Sequence, residues 1–260
     1  MAAFVTVLLR ILLVLLGLLL LWVIVLAVSA LFVNPNREYD RNSPYYRLLL
    51  NTATAFTVHL LGIHVEISGL EKLPESGPFL LVGNHRSNFD PILTWYALKD
   101  RNLAFISKPE NFRIPLFGRI IRRCCFLPID REDPRNAIRT IHKSSKLLKK
   151  GQVNIAVYPE GTRSKDGTLL PFHNGVFKIA LKADAPIVIL AIQGTETIHK
   201  NWFRRHSHVR LTVVDVLPAE SIRECRTAEI GDRVRDALTG ALGLRKEAGV
   251  PPPKRHASVS

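Results

Sequence analysis

Cysteine is scarce in this chain, with three among 260 residues. Cys124 and Cys125 are adjacent inside an apolar run that we predict as a strand, and Cys225 is distant from both. An odd count without metal-ligand spacing predicts neither a disulfide framework nor a zinc site. No other side chains in the sequence form a metal-ligand cluster. We therefore expect no metal and no resident cofactor.

Acidic residues are also few, with 22 Asp and Glu against 36 Lys and Arg, and the formal net charge is +14. A nucleic acid, an anionic membrane or an anionic substrate would each suit such a charge. The sequence has no RNP-type aromatic motif, no zinc-finger spacing and no glycine-rich phosphate loop. These absences, beside a long apolar N-terminal run, favour anionic lipid over nucleic acid as the partner.

The sequence also lacks an embedded serine nucleophile, although it pairs a histidine with a carboxylate. His85 and Asp90 lie in the segment Asn84 to Asp90, and such a pair can take a proton from an alcohol. Ser87 lies between them without the strained, glycine-flanked elbow that presents a nucleophilic serine. The activated hydroxyl is therefore expected to belong to a substrate. Asp90 also precedes Pro91, which predicts a helix N-cap, and the two interpretations are compatible.

The N-terminus carries an uninterrupted apolar run from Ile11 to Val33. As a helix it would span about 34 Å, enough for a hydrocarbon core of roughly 30 Å. We predict a transmembrane anchor over residues 1–33. The alternative is a cleaved signal peptide, since residues 28–30 resemble a cleavage site, but the run is longer than a usual signal core. One arginine precedes the run and several follow, so the positive-inside rule predicts that the domain faces the cytoplasm.

Two further segments have the composition of membrane contacts. Residues 34–70 are predicted as a linker with an amphipathic helix at 45–63, which lies either in the membrane interface or against the core. Residues 113–123 alternate apolar side chains with arginines, which favours lipid contact or a helix covering the core. The predicted localisation is a single-pass or monotopic membrane protein.

From Phe79 onward, strand-like apolar runs alternate with helical patterns, which predicts an α/β domain over residues 71–247. Residues 248–260 are predicted as a disordered tail. Polar blocks follow the predicted strands 79–83, 124–129 and 153–158 directly. Ligands in such folds bind beyond the carboxyl ends of the strands, so these blocks are expected to form one site.

Four ordered segments resemble the signature blocks of the glycerolipid acyltransferase family, which includes the 1-acylglycerol-3-phosphate acyltransferases. They are Asn84 to Asp90, Phe126 to Arg131, Tyr158 to Ser164 and Ala185 to Val188. The resemblance covers roughly residues 75 to 220 and implies a mixed sheet flanked by helices. Tyr158 stands where the family usually has Phe. His173 and Asn174 stand where it often has Lys or Arg, so no role is carried over to these two.

The resemblance implies transfer of an acyl group from acyl-CoA or acyl carrier protein to the free hydroxyl of 1-acylglycerol 3-phosphate (lysophosphatidate), giving phosphatidate. His85 is then the general base and Asp90 orients it. The positions that match acceptor binding are Arg131, Glu160 and Arg163, where the arginines would hold the phosphate. Gly161 is expected to permit a special backbone conformation and close approach of its amide to the ligand. Lys108 is a further candidate contact to the phosphate or the thioester donor.

Two alternatives stay open from the sequence. The same chemistry would also suit glycerol 3-phosphate or another lysophospholipid as the acceptor, because arginines do not measure the size of a head group. A protein of another class, a non-catalytic basic protein that binds membrane surfaces, would share the charge and the anchor. It would not need His85.

Overall fold

Seven strands form the sheet of this protein, whose computed structural model describes residues 1–130 and 132–244. The predicted tail at 248–260 lies outside the described residues. The strands are β1 (Ile63–Ser68), β2 (Leu80–Gly83), β3 (Leu103–Ser107), β4 (Leu127–Pro128), β5 (Asn154–Val157), β6 (Ile187–Gln193) and β7 (Ser207–Leu217).

The strand order is β1-β7-β6-β2-β5-β3-β4. From β6 to β4 all neighbours are parallel, whereas β7 runs antiparallel to β6 and parallel to β1. The sheet is therefore mixed, as predicted. The carboxyl ends of β2 to β6 share one edge, which we call the carboxyl edge, and β1 and β7 begin there.

Helices cover both faces of the sheet and extend from it at the N-terminus. They are α1 (Ala2–Leu31), α2 (Pro44–Leu60), α3 (Asp90–Ala97), α4 (Phe117–Arg123), α5 (Pro134–Lys149), α6 (Lys178–Ala183), α7 (Ala219–Ile222) and α8 (Thr227–Ala241). Local sequence explains α5 well. The Asp133 side chain accepts hydrogen bonds from the amides of Arg135 and Asn136, Pro134 occupies the first turn, and Gly151 follows with a positive φ of 64°.

The central strands are buried because helices pack on both sides of them. All four residues of β2 are buried, and six of the seven residues of β6 are buried. Such near-continuous apolar strands are typical of parallel sheets covered on both faces. The core thus forms a rigid base under the carboxyl edge.

Two predictions about the elements differ from the structure. The domain begins before residue 71, because β1 pairs with β7 as an edge strand of the sheet. The predicted strand 124–129 is shorter, and Cys124 and Cys125 lie in a tight turn after α4, where Cys125 has φ of 62°. Their thiols are buried, which raises their pKa values to about 12 and about 11, so both stay protonated and unreactive.

The N-terminal helix α1 is long and apolar enough to cross a membrane. Among the described residues, no other helix meets both conditions. It begins at Ala2, so Arg10 lies inside it rather than before it. Its last turn packs on the domain. The carbonyl of Ser29 accepts a hydrogen bond of 2.9 Å from the Tyr46 hydroxyl, and the carbonyl of Ala30 accepts one of 3.2 Å from Arg119.

Helix α2 packs against the core on one face, which is one of the two interpretations that the sequence left open. One face is buried against the domain, with Leu49, Leu50 and Val58 in the core. Another face leaves four large apolar side chains exposed, Tyr45, Leu48, Phe56 and Leu60. α2 also pairs with α1, because Trp22 donates a 3.2 Å hydrogen bond to Thr52 and its ring contacts Phe56.

Candidate active site

His85 and Asp90 meet at the carboxyl edge, in the turn between β2 and α3. The His85 Nδ1 lies 2.7 Å from the Asp90 Oδ2. The Asp90 carboxylate is fully buried, whereas the His85 side chain is 19% exposed. A carboxylate can only accept, so Nδ1 carries the proton and Nε2 is left to accept one from a substrate. This geometry suits a general base and a carboxylate that orients it.

The Asp90 carboxylate is held by more donors than His85 alone. Its Oδ2 accepts the backbone amides of Arg86 at 2.6 Å and Ser87 at 2.8 Å. Its Oδ1 accepts the Thr195 hydroxyl at 2.5 Å. The N-cap prediction is wrong, because Asp90 is the first residue of α3 and its side chain binds amides of the preceding turn. These bonds compensate a buried charge and fix the carboxylate.

Tyr158 fixes the His85 ring from another side. The two rings stack with their centroids 4.6 Å apart and their planes 10° apart. The Tyr158 hydroxyl, absent from the usual Phe, lies 3.2 Å from the Thr94 hydroxyl. Burial raises the pKa of the Tyr158 phenol well above its ordinary value, so it stays neutral. Tyr158 therefore acts as a flat support for the imidazole.

Glu160 ties the two signature turns together from a buried position. Its Oε1 accepts the His85 amide at 2.7 Å, and its Oε2 accepts the Leu170 amide at 2.8 Å. The Ser164 amide reinforces this link by donating to the His85 carbonyl at 2.8 Å. The family resemblance implies that Glu160 binds the acceptor. The structure instead engages both of its oxygens with backbone amides.

A cavity of about 620 Å³ opens at this edge, and His85 lines it. Lys108, Gly161 and Arg163 line the same cavity, so the structure brings four predicted site residues together. Arg131 lies outside the described residues. The polar lining also includes residues to which no role had been assigned, namely Asn88, Thr162, His173 and Asn174.

Gly161 shows why glycine follows Glu160 at this turn. Its φ is 72°, a left-handed conformation that disfavours side chains. Its amide donates to the Tyr158 carbonyl at 3.0 Å. The expected conformation is therefore present, but the amide is used inside the turn rather than offered to a ligand.

Apolar side chains form the remaining wall of the cavity. Ile114 comes from the loop before α4, Phe117 is the first residue of α4, and Phe105, Ile129 and Ile141 line the cavity as well. At the tip of that loop, Leu116 has φ of 59° and ψ of −59°, and the Phe117 amide donates to the Pro115 carbonyl at 2.7 Å. This tight γ-turn is a strained conformation for leucine and is typical of functional loops.

Comparisons with known proteins agree with this geometry. The family model described as Acyltransferase matches residues 64–193. A chloroplastic 1-acyl-sn-glycerol-3-phosphate acyltransferase of Brassica napus is 41% identical over 134 residues, which are 51% of this chain and 38% of that protein. The alpha form of this acyltransferase from Bos taurus is 30% identical over 220 residues, 84% of this chain and 75% of that protein.

A solved structure has the same fold. It is the crystal structure of the 1-acyl-sn-glycerophosphate acyltransferase PlsC from Thermotoga maritima, with a TM-score of 0.62 and 25% sequence identity. The match covers 76% of this chain and 80% of that one. This chain thus spans most of the bovine and Thermotoga proteins, but well under half of the plant protein.

Proposed function

This chain belongs to the acyltransferase family, and from that premise we propose that it acylates the free hydroxyl of 1-acylglycerol 3-phosphate to give phosphatidate. It is then a 1-acylglycerol-3-phosphate O-acyltransferase. The observation that carries the proposal is the His85–Asp90 pair. Asp90 holds the His85 ring through Nδ1, and His85 lines a cavity that Arg163 also lines.

The proposed reaction needs one base and no covalent intermediate. The acceptor hydroxyl attacks the thioester carbonyl while Nε2 of His85 takes the hydroxyl proton. The new ester bond forms as the carbon–sulfur bond breaks, and the imidazolium returns the proton to the departing thiolate. Asp90 stabilises the imidazolium and holds its orientation. Such general-base catalysis contributes about 10²–10⁴-fold in rate.

Fixed cations suit the phosphate of the acceptor. Arg163 and Lys108 line the cavity with His85, and Arg131 is assigned to the same role from the sequence. A guanidinium offers two parallel donors that match two phosphate oxygens. The apolar wall from Ile114 to Phe117 suits the acyl chain, because burying each methylene contributes about 0.8 kcal/mol.

Membrane association completes the proposed function. Helix α1 supplies a span of about 45 Å at ~1.5 Å per residue, more than the roughly 30 Å of a hydrocarbon core. The contacts of Ser29 and Ala30 with the domain support a retained anchor over a cleaved signal peptide. The excess of arginine after α1 favours a cytoplasmic domain.

An acceptor panel tests the proposal. The purified protein is assayed with 1-acylglycerol 3-phosphate, glycerol 3-phosphate, a lysophospholipid with a larger head group and monoacylglycerol, each with acyl-CoA and with acyl carrier protein as donor. We expect the highest kcat/KM for 1-acylglycerol 3-phosphate. Preference for another acceptor would overturn the substrate assignment, and near-normal activity of His85→Ala would overturn the chemistry.

A further inference from the structure

The connection between β6 and β7, residues 194–206, is a second feature of the carboxyl edge. It begins at the catalytic pair, since Thr195 binds Asp90 and Glu196 lies 3.7 Å from Arg86. It ends in the segment Ile198–His206, which we call the β6–β7 tip. The signature blocks do not include this tip, and the proposed reaction does not use it.

The β6–β7 tip presents two large aromatic side chains to solvent. Trp202 is 55% exposed and Phe203 is 96% exposed. Exposed cations flank them, namely Lys200, Arg204 and Arg205, and the tip contains no acidic residue. Adjacent exposed aromatics are costly in water unless a partner covers them. Aromatic rings beside Lys and Arg are the composition of segments that bind at a lipid–water interface.

The tip is held in place rather than left free, so its exposed rings have a defined direction. Ile198 anchors it in the core with 1% exposure, and the amides of Arg204 and Arg205 both donate to the Asn201 carbonyl at 3.0 Å. The Arg205 guanidinium donates to the His59 carbonyl at the end of α2 at 3.0 Å. Gly62 allows this contact, because a Cβ there would lie 2.3 Å from the Arg205 carbonyl oxygen.

The position of the tip matches the other apolar surfaces of the molecule. It touches the C-terminal end of α2, where Phe56 and Leu60 are exposed. The opposite end of α2 lies beside α4, since Arg123 stacks over Tyr46. Residues 114–117 are exposed and lead into the first turn of α4, and we call them the loop 114–117. Exposed apolar side chains therefore lie along α2 and beside both of its ends.

We propose that the β6–β7 tip is a membrane contact site for an anionic bilayer surface. Trp202 and Phe203 insert between head groups, while Lys200, Arg204 and Arg205 bind lipid phosphates. This rests on the proposed function, because an enzyme acting on a membrane lipid needs its carboxyl edge at the bilayer. The tip and the loop 114–117 then hold that edge to the surface from two sides of α2.

A position-specific probe tests the contact in the full chain. Cys225 is replaced by serine, and a single cysteine is introduced by Phe203→Cys and labelled with an environment-sensitive fluorophore; Cys124 and Cys125 are buried and do not compete. The matched control is the same label at Lys149→Cys. Lys149 is exposed at the C-terminus of α5, next to the start of β5 and hence at the sheet edge opposite His85.

In nanodiscs with anionic lipid, we expect the label at 203 to show blue-shifted emission and quenching by lipids that carry a quencher near the head group. The label at 149 should show neither. A label at 203 that stays water-exposed would overturn the proposal. A blue shift in lipid-free amphipol that grows with protein concentration would overturn it as well, by showing that a second copy covers the tip.

Charge variants test which lipid the tip recognises. The double variant Lys200→Ala, Arg204→Ala should reduce insertion of the label at position 203. The equilibrium constant for insertion should fall about fivefold for each cation removed. The pair Lys149→Ala and Lys150→Ala removes the same charge from the opposite edge and should leave insertion unchanged. Equal effects of both pairs would contradict recognition by the tip.

The same labelled proteins are assayed for acyl transfer, which separates the two proposals. Insertion without any acyl transfer supports the contact site and counts against the proposed function. Acyl transfer without insertion supports the function and overturns the contact site.

Discussion

The Thr195 hydroxyl donates a 2.5 Å hydrogen bond to Oδ1 of Asp90, across 105 residues of sequence. Oδ2 of the same carboxylate is occupied by His85 and two backbone amides. Thr195 is therefore the group that fixes the second oxygen and sets the rotation of the carboxylate. The His85 imidazole is therefore positioned through the residue that follows β6 as well as by its own turn.

We predict that Thr195→Val lowers kcat with little change in KM, because Thr195 contacts Asp90 and not the cavity. A hydrogen bond to a charged group contributes about 1.5–3 kcal/mol, so kcat should fall by roughly ten- to a hundredfold. Thr195→Ser keeps the donor and should retain most of the activity. If Val and Ser variants were equally active, Thr195 would have no part in orienting the base.

His85→Ala should reduce acyl transfer by about 10²–10⁴-fold, the usual contribution of a general base. The protein should stay folded, because the ring is partly exposed and Tyr158 remains supported by Thr94. Asp90→Asn should also slow turnover, since an amide cannot stabilise the imidazolium as a carboxylate does. His142→Ala, at an exposed position on α5, is the matched control and should be fully active. Near-normal turnover by His85→Ala would show that another group removes the proton.

The strand ends and the His85–Asp90 pair could be predicted because their signals are local. β2 and β5 lie within the predicted strands 79–83 and 153–158, since short apolar runs bounded by polar turns leave little freedom in their limits. The turns at His85 and Tyr158 could be predicted to lie close together, because each follows a parallel strand and the carboxyl ends of parallel strands share one edge. Thr195 follows β6 at the same edge, and this rule would have found it.

Other features depend on tertiary contacts that no local pattern encodes. β1 alternates exposed residues with partly buried ones, and only its pairing with β7 makes it a strand. Asp90 follows a turn whose amides compete for its carboxylate, so the expected N-cap did not form. Glu160 accepts hydrogen bonds from the backbone amides of two separate loops. The sequence shows that Glu160 can accept hydrogen bonds, but it does not show which amides donate them.

The stability contributed by Glu160 should fall as pH rises. Burial raises the pKa of Glu160 above its ordinary value, although the hydrogen bonds from the two backbone amides oppose this shift. A pKa that is raised in the folded state means that folding favours the protonated carboxyl group. The stabilisation by Glu160 is therefore fully present below the pKa of the unfolded state, and it is lost as the pH rises through the pKa of the folded state. The difference in unfolding free energy between wild type and Glu160→Gln, measured by urea titration in detergent, should therefore shrink from pH 4.5 to neutral pH. A difference that grows would mean that the amide bonds outweigh burial.

Arg163→Ala should weaken use of a phosphorylated acceptor by ~1.5–3 kcal/mol in kcat/KM, because a charged hydrogen bond is lost. The same is expected of Arg131→Ala. The measurement compares 1-acylglycerol 3-phosphate with monoacylglycerol, which lacks the phosphate. Lys165→Ala is a nearby exposed control outside the cavity lining. Equal losses on both acceptors would show that these arginines do not recognise phosphate.

The last prediction concerns how much of the membrane attachment resides in α1. Residues 1–21 are exposed along their whole length, whereas Ser29, Ala30 and Val33 are buried against the domain. Removing residues 2–21 therefore tests attachment without opening the core, which deletion of residues 1–33 would do.

The truncated protein should still float with anionic vesicles, because α2, the loop 114–117 and the β6–β7 tip remain. Each cation near an anionic surface contributes about 1 kcal/mol, and this attraction fades within a Debye length of roughly 8 Å at physiological salt. Flotation should therefore decrease with added salt and with neutral lipid. A truncated protein that stays fully soluble beside anionic vesicles at low salt would show that α1 alone holds the enzyme to the bilayer.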